Sequence, residues 1–332
     1  MRPPEFWRHT EGKLAAPMTR TLLTPTAWLY QTIARRRMVN AVATAVEKPV
    51  ICIGNITLGG AGKTPLTRSV RARLTAMGHT VASLSRGHGG KLKGPVQVDP
   101  AVHLAADVGD EPLLHAADGM AFIARDRVAG ARAAIAAGAS VVAMDDGFQN
   151  PYLRKDLSIL VFDEGFGLGN GRIVPAGPLR EALEDGLARA QGVVLMRVAP
   201  APGARPDYLR GFDKPVLDAW LEPTIAPPAG RLLAFAGIAR PDKFFKTLED
   251  AGADIVDGAS YPDHHAFSES ELTWLAKLAD EREARLITTE KDAVRLPPAW
   301  RARILTLPVR AHLADPAAFD ALLGQAFSSV GG

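Results

Sequence analysis

The strongest constraint on the fold is a glycine-rich loop that joins an apolar strand to a helix. The apolar run Val50–Gly54 leads through four further residues into Gly59-Gly-Ala-Gly-Lys-Thr64. The residues that follow have helical periodicity, and one apolar face contains Leu66, Val70, Leu74 and Met77. Glycines in such a loop let backbone amides approach phosphate oxygens without an intervening Cβ. The sequence therefore predicts a P-loop that binds a nucleoside triphosphate.

The loop also supplies candidate ligands for ATP and Mg²⁺. We expect nucleotide contacts from Thr57, Leu58, Gly59, Gly60, Ala61, Gly62, Lys63 and Thr64. Lys63 would reach the β- and γ-phosphates, and the Thr64 hydroxyl would bind the metal. The common pattern G-x-x-x-x-G-K-[ST] has its first glycine where this chain has Thr57. The strand before the loop and the helix after it nevertheless support the P-loop prediction.

A second apolar strand ends in two adjacent carboxylates. Residues 140–146 read Ser-Val-Val-Ala-Met-Asp-Asp, so Asp145 and Asp146 lie at the strand end. Adjacent side chains there point to opposite faces. One aspartate is therefore expected to face Mg²⁺, and the pattern does not choose between them. A capped turn is the alternative interpretation.

Two further polar loops contain candidate catalytic residues. Asp110 opens a predicted helix, where an aspartate is most often an N-cap, but it could also accept a proton from a hydroxyl nucleophile. Arg180 lies in the glycine- and proline-rich segment 169–181. It could act on a transferring phosphoryl group, or it could be an ordinary surface arginine.

Along the chain, short apolar runs alternate with helical patterns, which is typical of parallel sheets with crossover helices. We expect an α/β protein with a P-loop NTPase-like, mostly parallel sheet, helices on both faces, and a second smaller α/β domain. The proline-rich stretch 222–230 is the best linker candidate. The predicted divisions are a basic segment at 1–48, a P-loop core at 49–225 and a lid or substrate domain at 226–332.

Charge and cysteine content exclude some classes of function. Residues 1–48 carry eight basic and three acidic side chains, a net +5, so the remaining chain carries −2 of the total +3. The main body therefore has no basic surface typical of nucleic-acid binding, and no nucleic-acid partner is expected. Cys52 is the one cysteine, which excludes an intramolecular disulfide and indicates a reducing compartment. Its apolar neighbours predict a buried strand residue.

The N-terminal segment resembles an interfacial helix. Thr24 followed by Pro25 predicts a helix start, after which Trp28, Leu29 and Ile33 share one side and three arginines follow at 35–37. With Phe6 and Trp7 upstream, this pattern predicts a basic, aromatic helix in the lipid headgroup region. Packing of the helix on the protein's own core is the alternative. No stretch has the ~20 apolar residues of a transmembrane helix.

Taken together, the motifs closely resemble those of the tetraacyldisaccharide 4′-kinase family, the lipid A kinases of Gram-negative bacteria. The shared segments are Gly54-Asn55, Gly59 to Pro65, Ser85-Arg-Gly87, Gly109-Asp-Glu-Pro112, Asp145-Asp-Gly-Phe-Gln149, Pro175 to Glu181, Phe235-Ala-Gly-Ile238, Asp263-His-His265 and Thr289-Glu-Lys-Asp292. The Thr57 departure is typical of that family. Asn150 stands where the family more often has histidine, which concerns only a local contact.

The resemblance implies a kinase that uses MgATP to phosphorylate the 4′-hydroxyl of an acylated glucosamine disaccharide 1-phosphate at the cytoplasmic face of the inner membrane. It implies that Lys63 and Thr64 hold nucleotide and metal, and that Asp145 and Asp146 serve Mg²⁺. Asp110 would be the general base, assisted by His264 or His265, between which the sequence does not decide. Arg180 and Glu181 would line the site, with Glu181 among the metal ligands. The alternative interpretation is that the two histidines lie in a surface loop and have no catalytic role.

Two other functions fit the bare P-loop. A membrane-associated ATPase switch often has a lysine just before the glycine pair, where this chain has Leu58. A kinase of a soluble small molecule would not need a basic, aromatic N-terminal segment. Both features favour the lipid kinase.

Overall fold

The computed structural model describes residues 4–328. Its helices are α1 (Pro17–Asn40), α2 (Lys63–Ala76), α3 (Ala105–Val108), α4 (Asp110–Ala117), α5 (Arg127–Ala136), α6 (Leu183–Arg189), α7 (Pro241–Asp250), α8 (Glu269–Glu281), α9 (Glu290–Ala293), α10 (Pro298–Arg301) and α11 (Pro316–Ser328). Its strands are β1 (Val50–Gly54), β2 (Val81–Ser85), β3 (Val96–Gln97), β4 (Ala121–Ile123), β5 (Val141–Asp145), β6 (Leu157–Asp163), β7 (Gly192–Met196), β8 (Val216–Pro223), β9 (Arg231–Ala236), β10 (Asp254–Ser260), β11 (Arg285–Thr289), β12 (Leu305–Leu307) and β13 (Val309–Leu313).

Nine strands form the larger sheet, in the order β13-β8-β7-β6-β1-β5-β2-β4-β3. The central strands are parallel, and the two edge strands β3 and β13 pair antiparallel with their neighbours. The P-loop strand β1 lies between β5 and β6. Because the carboxyl ends of parallel strands meet at one edge, the loops after β1, β2, β5 and β6 share that edge. The predicted α/β class is confirmed.

Helices cover both faces of this sheet because its strands alternate between two apolar layers. In β1, Val50 and Cys52 face one layer, and Ile51 and Ile53 face the other. Helix α5 packs on the first layer, and α2 packs on the second. All four β1 side chains are fully buried, which explains a continuous rather than alternating apolar run.

The buried position of Cys52 leads to a test of its reactivity. Burial raises the pKa of this thiol to about 11, against the opposing effect of the Lys155 charge. The group therefore stays protonated at any ordinary pH, and the thiolate is the reactive form. We expect native protein at pH 8 to resist iodoacetamide for hours and the protein in guanidinium chloride to react within minutes. Rapid labelling of native protein, followed by mass spectrometry, would contradict the burial.

The smaller sheet contains four parallel strands in the order β10-β9-β11-β12. It is an insertion between β8 and β13, and we call residues 231–307 the second unit. The two connecting segments lie side by side, since Thr224 N donates to Pro308 O at 2.9 Å. The second unit is therefore connected to the edge of the larger sheet by two adjacent chain segments that are hydrogen-bonded to each other.

The expected domain limit of 226–332 is wrong at its C-terminal end. Strand β13 pairs with β8 in the larger sheet, and α11 places Phe319, Leu322 and Leu323 in the layer that also holds α2. Each such buried side chain contributes ~1.5–3 kcal/mol. β13 also covers the edge of β8 that would otherwise stay open. Both effects are long-range, so the alternating pattern along the chain did not reveal them.

Helix α1 is longer than the sequence predicted and is largely exposed. The predicted start at Thr24 and Pro25 is wrong, because α1 begins at Pro17 and contains Pro25 in its interior. Ala27 is its one buried residue. Exposed apolar side chains recur along it, namely Met18, Leu22, Trp28, Leu29, Tyr30, Ile33 and Val39. Apart from Ala27, most of the large apolar side chains of the helix are therefore exposed to solvent and not packed on the protein's own core.

Trp7, which the sequence placed with the interfacial residues, lies instead against the body. It is 9% exposed, and its indole Nε1 donates to Pro175 O at 3.1 Å. Asn170 N donates to the Trp7 carbonyl at 2.7 Å. The tryptophan thus anchors the segment before α1 to the loop 169–181. Among the described helices, none is long and apolar enough to cross a membrane.

Candidate active site

The P-loop leaves β1 at the carboxyl edge of the larger sheet and ends where α2 begins at Lys63. Gly59 and Gly62 adopt φ values of +131° and +80°, which favour glycine. Thr57 occupies the position of the usual first glycine without positive φ. Asn55 Nδ2 donates to Thr57 O at 2.7 Å and lies 3.2 Å from Thr57 Oγ1. The threonine side chain therefore helps to hold the loop, which explains the departure from the common pattern.

Lys63 lies between a loop side chain and the second carboxylate of the Asp145-Asp146 pair. Its Nζ donates to Asn55 Oδ1 at 3.1 Å and lies 3.7 Å from Asp146 Oδ1. The side chain is 12% exposed. Lys63 is thus pre-positioned by partners on both sides, at the mouth of the loop.

Asp145 has the geometry of a metal ligand. Its Oδ2 accepts hydrogen bonds from Thr64 Oγ1 at 3.0 Å and from His115 Nε2 at 2.8 Å. Its Oδ1 is buried and, among residues 4–328, has no hydrogen-bond partner. A buried carboxylate oxygen without a partner is costly. Together with the Thr64 hydroxyl it forms a set of oxygen ligands that suits Mg²⁺.

Asp146 turns away from Asp145 through a left-handed backbone conformation with φ +51°. Arg180 Nη1 donates to Asp146 Oδ1 at 2.9 Å. Burial acts to raise the pKa of this carboxyl, but the charges of Lys63 and Arg180 outweigh it and lower the pKa to about 2. Asp146 is therefore an anion at neutral pH, held between two cations.

Gln149 joins Glu181 to Arg180 and so to this cluster. Arg180 Nη1 also lies 3.3 Å from Gln149 Oε1, and Gln149 Nε2 donates to Glu181 Oε1 at 2.8 Å. The other Glu181 oxygen accepts from Arg189 Nη2 at 2.5 Å. Both Glu181 oxygens thus have protein partners, whereas Asp145 keeps one oxygen free of them.

Asp110 is the first residue of α4, and its expected role as an N-cap is wrong. The N-cap is Gly109, and no side chain caps the helix. Asp110 is instead 3% exposed and lies in a cluster with residues of the second unit. Its Oδ2 accepts from His264 Nδ1 at 3.0 Å and from Arg295 Nε at 2.9 Å, and Lys291 Nζ lies 3.8 Å away. Asp110 is therefore positioned for something other than capping.

The two histidines of the predicted pair have different surroundings. His264 contacts Asp110 and adopts a left-handed φ of +59°, a conformation that costs a non-glycine residue free energy. The hydrogen bond to Asp110 raises the pKa of His264, against a smaller lowering by burial. His265 Nε2 instead lies 2.9 Å from Glu271 Oε1, and its ring stacks on Tyr261. The geometry brings His264, and not His265, to Asp110.

Several residues of the cluster were not singled out from the sequence. They are Asn55 beside Lys63, His115 beside Asp145, Gln149 between Arg180 and Glu181, and Lys291 and Arg295 beside Asp110. Asn55, Gln149 and Lys291 lie within motifs that carried the family resemblance. His115, on α4, and Arg295, just after α9, lie outside those motifs, so the pattern contained no signal for them.

The second unit also reaches the P-loop from the opposite side. A cleft is lined by residues of the loop, by Phe166 and by Ala239 and Arg240 of the second unit. Arg240 Nη1 donates to Asp163 Oδ1 at 2.6 Å, and Lys243 donates to the other oxygen of the same carboxylate. The second unit thus contacts the larger sheet at two places near the glycine loop, one at Asp163 and one at Asp110.

Comparison with known proteins gives consistent matches over nearly the whole chain. The LpxK family model, described as tetraacyldisaccharide-1-P 4′-kinase, matches residues 19–328. The tetraacyldisaccharide 4′-kinase of Maricaulis maris (strain MCS10) is 51% identical over 328 residues, covering 97% of this chain and 96% of the relative. That of Caulobacter vibrioides (strain NA1000 / CB15N) is 52% identical over 328 residues, covering 96% and 97%.

A solved structure has the same architecture. The crystal structure of LpxK from Aquifex aeolicus, described as an "apo" form in complex with ATP, superposes with a TM-score of 0.76. It is 26% identical in sequence, and the match covers 93% of this chain and 99% of that one.

Proposed function

Because the chain belongs to the tetraacyldisaccharide-1-P 4′-kinase family, we propose that the P-loop and Asp110 together transfer phosphate to the 4′-hydroxyl of a tetraacyl-disaccharide 1-phosphate. The enzyme is an ATP-dependent phosphotransferase of lipid A biosynthesis. The observation that carries the residue assignment is the Asp110–His264 pair, 3.0 Å apart. Asp110 opens helix α4, whose His115 contacts Asp145 beside the P-loop.

The P-loop amides and Lys63 bind and orient the phosphates of ATP. In the transfer, the bond between the γ-phosphorus and the β–γ bridging oxygen breaks, and a bond from the γ-phosphorus to the 4′-oxygen forms. Negative charge develops on the leaving oxygen and the equatorial oxygens. Lys63, and Arg180 from the loop 169–181, are the cations available to stabilise it.

Thr64 and Asp145 are the residues that would hold Mg²⁺, with Asp146 next to them. When bound, the metal would neutralise phosphate charge during transfer. The free Asp145 Oδ1 supports this assignment. Glu181 is a weaker candidate ligand, because Gln149 and Arg189 already occupy both of its oxygens.

Asp110 would accept the proton of the 4′-hydroxyl. Burial acts to raise its pKa, but the His264 hydrogen bond and the charges of Lys291 and Arg295 outweigh burial, and the net pKa lies well below the ordinary range. A carboxylate of such low pKa is a weak base. In a loose phosphoryl transfer the proton leaves late, so a fixed, ionised acceptor that orients the hydroxyl is sufficient. His264 would hold Asp110 in place from the second unit, which would act as a lid.

Helix α1 would dock the enzyme on the cytoplasmic face of the inner membrane. An acylated disaccharide leaves a bilayer only at a cost of ~0.8 kcal/mol per CH₂, so the kinase must reach it there. Met18, Leu22, Leu29 and Ile33 recur at helical spacing and are 80%, 77%, 53% and 58% exposed. Arg20, Arg36 and their neighbours add basic charge along the same helix. Exposed apolar and basic side chains on one helix support a peripheral membrane contact.

Serine substitutions test this contact more cleanly than deletion of residues 1–40, which would also remove the packed Trp7. We expect a Leu22→Ser, Trp28→Ser, Leu29→Ser variant to bind anionic vesicles at least tenfold more weakly, because each apolar side chain is worth about 1.5–3 kcal/mol when buried. Residual binding should fall further with salt. Trp274→Ser is the matched control, since Trp274 is an exposed helical tryptophan of the second unit. Equal sedimentation of both variants with vesicles would refute the docking role.

The activity itself is tested by transfer of label from γ-labelled ATP to tetraacyl-disaccharide 1-phosphate in detergent micelles. We expect labelled lipid with the new phosphate at the 4′ position, identified by mass spectrometry of the isolated product. ATP hydrolysis without labelled lipid would instead support a membrane-associated ATPase switch. Labelling of a soluble, unacylated disaccharide at the same rate would remove the argument for a membrane-bound substrate.

A further inference from the structure

Arg295 ties Asp110 to the second unit. It follows α9, and its guanidinium contacts Asp110 Oδ2 through Nε at 2.9 Å and also through Nη2. The Arg295 side chain is 7% exposed and that of Asp110 is 4% exposed. Two hydrogen bonds from one buried guanidinium to one carboxylate oxygen make a strong and geometrically specific contact.

The second unit fixes the position of Arg295. Its Nη1 donates to Gly237 O at 2.8 Å and to Asp292 Oδ1 at 2.9 Å. Asp292 is fully buried, and it accepts in turn from Gly237 N at 3.1 Å and from Thr289 Oγ1 at 2.7 Å. The guanidinium is therefore held through Nη1 by two acceptors of the second unit, and its Nε and Nη2 edge points to Asp110.

The two oxygens of Asp110 have unequal surroundings. The side-chain contacts to Asp110 described above, from His264, Lys291 and Arg295, all go to Oδ2. Within residues 4–328, Oδ1 accepts from the backbone N of Glu111 at 3.2 Å, and the Glu111 carboxyl is a further side-chain neighbour of Asp110. The charged and titratable groups around Asp110 are Glu111 on its own helix and, from the second unit, Asp263, His264, Lys291 and Arg295, with His88 beside the His264 ring. Oδ1 is thus the oxygen that His264, Lys291 and Arg295 leave for a further donor.

We propose that Arg295 is a positioning residue that holds Asp110 by Oδ2 and thereby presents Oδ1 to the acceptor hydroxyl, only while the second unit is docked on the larger sheet. The inference rests on the proposed function of Asp110 as the proton acceptor. It specifies Oδ1 as the oxygen of Asp110 that accepts the proton, and it makes this role depend on the position of the second unit.

Arg295 contributes more than Lys291 to holding Asp110 by its Oδ2. Lys291 Nζ lies 2.8 Å from Glu111 Oε1 and 3.8 Å from Asp110 Oδ2, so its closest partner is Glu111. Removal of the Arg295 charge would leave a buried carboxylate with fewer compensating groups. Burial of a carboxylate without a partner raises its pKa, by up to ~3–5 units in the extreme.

The test compares pH profiles of kcat for the wild type, Arg295→Gln, Arg295→Lys and Arg310→Gln. For Arg295→Gln we expect kcat to fall about 10- to 100-fold, the order of loss from a misplaced catalytic group. Its acidic limb should also move to higher pH, because the pKa of Asp110 rises. Arg295→Lys keeps the charge and should restore the limb but only part of kcat. Arg310 is the matched control, since it joins β13 to Glu290 of the second unit at 3.2 Å without touching Asp110.

A purely structural role predicts a different result. Thermal unfolding of each variant would then show lower stability, whereas the acidic limb would stay at the wild-type pH, and that outcome overturns the inference. If Arg295→Gln does not fold, an unshifted limb and full kcat in Arg295→Lys would overturn it as well. Asp110→Asn separates the two proposals. If Asp110→Asn keeps its activity, the proposed function of Asp110 is contradicted. If Asp110→Asn is inactive but the acidic limb of Arg295→Gln stays at the wild-type pH, only the positioning role of Arg295 is contradicted.

Discussion

Lys63→Ala is expected to lower kcat for phosphate transfer by about 10²- to 10³-fold, the loss seen when one preorganised charge-stabilising group is removed. The lysine begins α2 at the end of the glycine loop. There its Nζ can stabilise the negative charge that develops on the transferring phosphoryl group. Its present partners are Asn55 Oδ1 and, at 3.7 Å, Asp146 Oδ1. Because neither partner depends on the lysine for the fold, the variant should remain folded.

The measurement is labelled lipid per folded enzyme, with ATP affinity determined separately. Lys246→Ala is the matched control, since that lysine lies on α7, is 62% exposed and pairs with Asp250, its i+4 neighbour, at 2.8 Å. We expect it to keep wild-type turnover. Full activity of Lys63→Ala in the same assay would contradict the proposed role of the P-loop in phosphate transfer, even though the chain belongs to the kinase family.

Asp110→Asn is expected to lower kcat by about 10²- to 10⁴-fold, the usual contribution of a positioned general base, with little change in ATP affinity. The amide keeps the size of the side chain but cannot take the hydroxyl proton. It also leaves the buried Arg295 without its anion, and a broken buried pair can cost ~3–5 kcal/mol of stability. Turnover must therefore be expressed per folded molecule.

Asp118→Asn provides the control for that loss of stability. Asp118 follows the same helix α4 and pairs with Arg68 at 2.5 Å and with Arg310 at 3.2 Å. It is thus another arginine-paired carboxylate, whose ion-pair partners Arg68 and Arg310 do not include Arg295 or Lys63. We expect Asp118→Asn to lower the unfolding temperature and to keep kcat. If Asp110→Asn behaved in the same way, Asp110 would be a structural ion-pair partner and not the proton acceptor.

The local motifs of the site were predictable because each is a short run of chain with its own chemistry. The glycines, Lys63 and Thr64 occupy consecutive positions, so their proximity follows from the strand–loop–helix geometry alone. The Asp145-Asp146 pair ends a neighbouring parallel strand, and strands of that kind share one carboxyl edge. The α/β class followed from the same alternation of apolar runs and helical faces.

The choice between neighbouring residues needed the tertiary structure. His264 and His265 are equivalent in the sequence, but only one side of the turn faces Asp110, because a left-handed backbone at His264 directs consecutive side chains apart. The Asp110 N-cap was a sound local expectation that failed for a long-range reason. Gly109 takes the cap position, and cations from the second unit, more than 150 residues away in the chain, surround the carboxylate.

By itself, the sequence determined the fold class and the family, and it predicted a nucleotide loop and candidate metal ligands, because these depend on local spacing and on motifs in a fixed order. Only the tertiary structure decided that β13 and α11 return to the larger sheet, that Trp7 is buried while α1 stays exposed, and that Arg295 reaches Asp110. Each of these results depends on which distant surfaces bury apolar area or pair charges with one another. Periodicity along one segment contains no information about the partner that the segment will meet.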